Sequence, residues 1–197
     1  MALDTVRKIN NRLKFLHRKD QYLTYKLRRL LCNAIVQPSF DYACSSWYPN
    51  LTKKMIARLQ VTQNKTIRFC LRLGGQASLK YADFEKINWL PVEDRVSQCI
   101  VSHVFKFFNK GSPDYVDELF IPVNRTVSTR QGSLRLFQPF RKTNAGKSSI
   151  SYLGPSIWNG LPDIVKENKI LNTFKHKLKD HFLEKLLRKE NDQFIYY

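Results

Sequence analysis

From Asn50 to Leu73 the chain holds neither proline nor glycine, and its apolar residues recur at helical spacing. Taking about 100° per residue, Met55, Ile56, Leu59, Ile67, Cys70 and Leu71 gather on one side of such a helix. Lys54, Arg58, Lys65, Arg68 and Arg72 lie on the other side, within roughly 80° of one another. A segment patterned in this way is stable only if its apolar stripe is buried, so the rest of the fold has to supply partners for it. Thr52 is the expected N-cap and Gly74-Gly75 the expected stop, which sets a helix from about 52 to 73.

Partners at the same spacing lie upstream. Leu3, Val6, Ile9, Leu13 and Leu16 form one stripe, and Leu23, Leu27, Leu30, Leu31, Ala34 and Ile35 form another, with Pro38 expected to end or kink the second helix. Three helices joined by short connections predict a small bundle over residues 1–75. Further on, Ser78 caps a helix from Leu79 to about Asn88. Pro91, Glu93 and Asp94 open another, with Val92, Val96, Cys99, Ile100, His103 and Phe107 on its apolar side. Helices are thus expected across 78–110.

After the polar stretch 124–133 the period changes. Residues 134–140, 141–147 and 148–153 read as strand, turn and strand, a small β-hairpin at about 134–153 with Pro139 confining the first strand to an edge or a bulge. A last helix is expected at about 173–190, with Phe174, Leu178, Phe182, Leu186 and Leu187 on one side. The expected fold class is therefore mainly α, of the α+β kind. It comprises an N-terminal basic helical domain at 1–75 and a C-terminal region at 76–197 holding further helices, the hairpin and the final helix.

Charge then narrows the function. With 34 Lys and Arg against 16 Asp and Glu the net charge is +18, which points to a polyanionic partner. Residues 1–75 carry 15 basic and only 3 acidic side chains. No acidic residue interrupts the 54–72 stripe, so phosphate contact is favoured there over a merely solvated face. The first helix adds Arg7, Lys14 and Arg18 on one side stripe and Lys8, Arg12 and Lys19 on another, with Phe15 between them and expected to be buried against a neighbouring helix. In the last helix Asp180, Glu184 and Glu190 intersperse the lysines, which favours solvation.

Catalytic constellations are missing. His17, His103, His176 and His181 are scattered, and Cys32, Cys44, Cys70 and Cys99 match no zinc spacing and read as buried thiols. No glycine-rich phosphate loop or nucleophile elbow occurs. The N-terminus lacks a signal-type apolar run and no window reaches membrane-spanning length, so an intracellular location, nuclear or cytoplasmic, is expected, with neither secretion nor a membrane partner.

Five stretches together carry a resemblance: LLCNAIVQPSFDYACSSWYPNLTKKMIARLQVTQNKTIRFCL (30–71), INWLPVEDR (87–95), STR (128–130), ISYLGPSIWNGLP (150–162) and FKHKLKDHFL (174–183). In this order they resemble the C-terminal, thumb and post-thumb region of reverse transcriptases from non-LTR, jockey-like retrotransposons. Trp47, Trp89, Pro91, Arg95, Gly154, Pro155, Trp158, Leu161 and Pro162 are its structural motif residues. The resemblance implies that residues 1–75 are thumb helices and that the 54–72 face grips template–product backbone. The parent polymerases use magnesium held by an Asp-Asp motif of the palm. This chain has no Asp-Asp pair, so no cofactor and no catalysis are expected of it.

The expected function is non-catalytic, sequence-independent binding of RNA, DNA or their hybrid, with a finger–palm core as a second partner. The alternative is an inactive truncated remnant that acts as a protein-interaction or structural module. For the 150–162 stretch, core packing of Trp158 is favoured over base stacking, because two prolines remove the N–H donors that a phosphate loop needs.

Overall fold

A computed structural model describes residues 2–123 and 134–194. The polar stretch 124–133, including Ser128-Thr129-Arg130, lies outside the described residues. In chain order the helices are α1 (Ala2–His17), α2 (Tyr25–Leu31), α3 (Gln37–Asp41), α4 (Cys44–Trp47), α5 (Lys53–Leu71) and α6 (Tyr81–Ile87). They continue as α7 (Val92–Phe108), α8 (Asp114–Asp117), α9 (Asn144–Lys147), α10 (Ile150–Asn159), α11 (Asp163–Lys166) and α12 (Leu171–Phe194). Two compact units result, one from residues 1–95 with 182–197 and the other from 96–181.

In the first unit α5 packs against α1, α2 and α6, and α1 also meets α3. Ile9, Leu13 and Leu16 of α1 and Leu59, Ile67 and Cys70 of α5 are buried, as the periodicity of both segments requires, whereas Leu3 at the start of the first stripe is exposed and Phe69, outside the second, is buried. The buried face of α5 also contains Thr62, Gln63 and Thr66. Their polar atoms are satisfied: the threonine hydroxyls donate to Arg58 O (2.8 Å) and Thr62 O (3.1 Å) one turn back, and Gln63 Nε2 donates to the distant Leu90 O (2.8 Å).

That last bond begins a clasp. Gln60 Oε1 accepts from the Val92 N–H (3.0 Å), and Trp89 Nε1 donates to Asn33 Oδ1 (2.8 Å). The Arg95 guanidinium forms a two-pronged pair with Asp41, one prong being Nη2 to Oδ2 at 2.6 Å. The 87–95 motif thus locks the start of α7 onto α5 and the α2–α3 segment. Trp47 likewise donates Nε1 to Tyr42 O (2.8 Å) within its own turn.

The second helical segment does not stop at Pro38. A π turn over Cys32–Val36 joins α2 to α3, with the Gln37 N–H returning to Cys32 O. Proline lacks the donor for the carbonyl four residues back, and the widened turn absorbs that mismatch. The apolar pattern here is also inverted: Leu27, Leu30 and Ala34 are exposed, whereas Arg28, Cys32 and Val36, spaced by four, are buried. The thiol of Cys32 lies against Cys70, and that hydrogen bond, followed by burial, pushes it far above its ordinary value.

The second unit is organised by aromatic rings. Trp158 is 1% exposed and stacks on Phe108 (ring centroids 5.1 Å apart), and Phe105 stacks on Phe174 (4.3 Å). Gly154 is required by close approach, since a Cβ there would stand 2.6 Å from Phe120 Cε1. Pro155 lies inside α10 and is buried, Leu161 is buried as well, and Pro162 precedes α11.

The expected hairpin does not form, and no β-strand occurs among the described residues. Residues 144–147 are α9, and 150–153 are the first turn of α10 rather than a second strand. Residues 134–140 are irregular apart from a single antiparallel bridge between Pro122 and Leu136. The cause is tertiary. Trp158 Nε1 donates to Leu134 O (3.0 Å), and Asn159 both donates to Leu136 O (2.8 Å) and accepts from its N–H (3.1 Å). Side chains of α10 therefore take the backbone groups that a partner strand would have used, overriding the local alternation. The described fold is all-α.

Candidate nucleic-acid interface

The basic face of α5 is held outward because its opposite face is committed to the core. Lys54, Arg58, Lys65 and Arg72 are exposed and Arg68 is half-buried. Among the described residues no carboxylate forms an ion pair with any of these five. Two of the guanidinium groups are nevertheless fixed in place, by carbonyl oxygens that leave their charge intact. Arg68 donates Nε to Ala77 O (2.8 Å), and Arg72 donates Nη2 to Asp20 O (3.2 Å) and Leu23 O (3.3 Å).

The end of α5 explains why Arg72 reaches that position. The helix closes at Arg72 itself, in the left-handed region (φ 55), with the Leu73 N–H returning to Arg68 O (3.0 Å), and not at Gly74-Gly75. Thr52 takes the extended N-cap conformation without a side-chain capping bond.

On α1, Arg7, Lys8 and Lys14 are exposed, as are Arg18 and Lys19 in the turn that follows it, while Arg12 is half-buried and donates Nη1 to Ile35 O and Ser39 Oγ. Arg12 therefore serves as an anchor between α1 and α3. Phe15, expected to be buried, is 59% exposed on the side away from the buried Ile9, Leu13 and Leu16.

The structure brings together residues that the sequence keeps far apart. Between α1 and the C-terminal end of α5 runs a cleft of about 510 Å³, with Lys14, Lys65, Arg68 and Arg72 around it and Leu13 and Phe69 in its floor. Its single lining carboxylate, Asp20, pairs with the buried Arg28 (3.3 Å). Arg28 also donates to Phe69 O (3.2 Å) and lies 5.9 Å from the centre of the Phe69 ring. Sequence reading passed over Arg28, which sits among leucines; its place at the head of the row Arg28, Cys32 and Val36, spaced by four, was the available signal.

Among the described residues no group of three or more His, Cys, Asp or Glu is placed to hold a metal, and the sequence has no Asp-Asp pair. No described helix is long and apolar enough to cross a membrane. No family model, curated protein or solved structure matches the chain.

Proposed function

We propose that this chain binds the sugar–phosphate backbone of RNA, DNA or their hybrid without sequence specificity and without catalysis, as the thumb-like part of a non-LTR retrotransposon reverse transcriptase. One observation carries the reading: four cations on one face of α5 and Arg72 at its C-cap have no acidic partner among the described residues, and two of the five are oriented by carbonyls. A stripe from Lys54 to Arg72 is about 27 Å long, enough to follow several phosphates. Held in this way, the arginines lose little side-chain freedom when a phosphate arrives.

A filter-binding titration against salt tests this. If the five cations each meet one phosphate of a duplex, the log–log slope is about −4.5, and each of Lys54→Gln, Arg58→Gln and Lys65→Gln lowers its magnitude by about 0.9 at unchanged melting temperature. Absence of affinity for DNA, RNA and hybrid at low salt rejects the reading.

The exposed row Leu27, Leu30 and Ala34 along α2 and the π turn after it favours a second reading, a module that docks another protein such as a finger–palm core. Size-exclusion chromatography separates the two: a monomer that binds RNA supports the first, and a salt-insensitive oligomer the second.

A further inference from the structure

The cleft between α1 and α5 differs from the open stripe beside it in having an apolar floor behind its cations. We propose that it receives a single unpaired nucleotide, phosphate at the rim and base inside, so that the chain prefers a single-stranded extension over a blunt duplex. This deepens the reading above and rests on it.

Its volume of about 510 Å³ falls within the ~300–1,000 Å³ of small-ligand sites. The rim carries Lys14, Lys65, Arg68 and Arg72, and the one carboxylate that could cancel them is taken by Arg28. Arg68 spends one of its five N–H donors on Ala77 and Arg72 spends one nitrogen on Asp20 and Leu23, so donors remain for phosphate oxygens.

An inorganic anion would need nothing more, but the rest of the lining, Asn10 and Gly75 apart, is of another kind. Leu13, Phe69 and Leu73 are apolar, and the exposed His17 meets Phe69 edge-on with ring centroids 4.7 Å apart. An exposed imidazole held edge-on against a ring offers a flat surface for stacking, and a heterocyclic base is the flat apolar group that accompanies a phosphate in a nucleic acid. In a duplex that base is already stacked on its neighbours. Only an unpaired nucleotide can present base and phosphate together.

Fluorescence anisotropy on a blunt duplex and on the same duplex with a short single-stranded 3′ extension tests the proposal. The extension should tighten binding by about tenfold at fixed salt, in line with one stacked base. His17→Ala should abolish that gain while leaving blunt-duplex affinity unchanged, whereas Lys54→Gln, on the stripe outside the cleft, should weaken both substrates alike. In NMR, adenosine monophosphate should shift the Leu13 and Leu73 methyl resonances, and inorganic phosphate should not.

Equal affinity for the two duplexes, in a protein that binds both, overturns the cleft proposal and leaves backbone binding standing. An extension gain that survives His17→Ala, or methyl shifts produced equally by phosphate alone, also overturns it. Failure to bind either duplex removes the nucleic-acid reading and the cleft proposal with it.

Discussion

Tyr48 is only 6% exposed, and its hydroxyl is buried without a hydrogen-bond partner among the described residues. Burial first, then Glu93 and Asp94, hold that hydroxyl above its ordinary 10.0. A raised acid keeps its proton in the folded state where the unfolded chain would release it, so stability is lost as pH rises past that value. Cys32 acts in the same direction from 9.0 upward. Tyr48→Phe should therefore leave stability at neutral pH unchanged or raised by about 1 kcal/mol, because the unsatisfied group is gone, and should make the alkaline decline shallower. Urea unfolding on either side of pH 10.0 measures both effects; a marked loss of stability at neutral pH would mean that the hydroxyl is satisfied after all.

Elements were legible where one helix buries one plain stripe. The extent of α5, the opening of α7 at Pro91 with its acidic first turn, and the outward face of Lys54, Arg58 and Lys65 all follow from spacing alone. Two kinds of information were not local. The outward turn of Leu27 and Leu30 depends on Arg28 finding Asp20 and the Phe69 carbonyl far along the chain, and residues 150–153 became helical because Trp158 and Asn159 occupy the backbone of 134–136. The cleft was illegible for a related reason: Lys14 and Lys65 become neighbours of one hollow only once α1 lies on α5. Trp158 belongs to the architecture of its unit, so Trp158→Ala should cost about 3–5 kcal/mol of stability. Its effect on nucleic-acid affinity, measured where the variant is still folded, should be nil. Reduced affinity at unchanged melting would move Trp158 into the interface.

For the whole molecule, a charge of +18 sets two responses to salt with opposite signs. Screening relieves self-repulsion, so melting temperature should rise from low to moderate ionic strength, while affinity for nucleic acid falls over the same range. Calorimetry and binding in matched buffers check the pair; a melting temperature that fell with salt would show that attractive surface pairs, and not repulsion, dominate. The left-handed arginine at the end of α5 makes a related separation visible at the level of sequence choice. Most L-residues, arginine among them, are strained at φ 55, where glycine rests easily and asparagine is tolerated. A library randomised at position 72 and sorted only for folding should thus drift toward Gly and Asn, whereas one sorted for nucleic-acid capture should return to Arg, so this one codon records which of the two demands a lineage has been under.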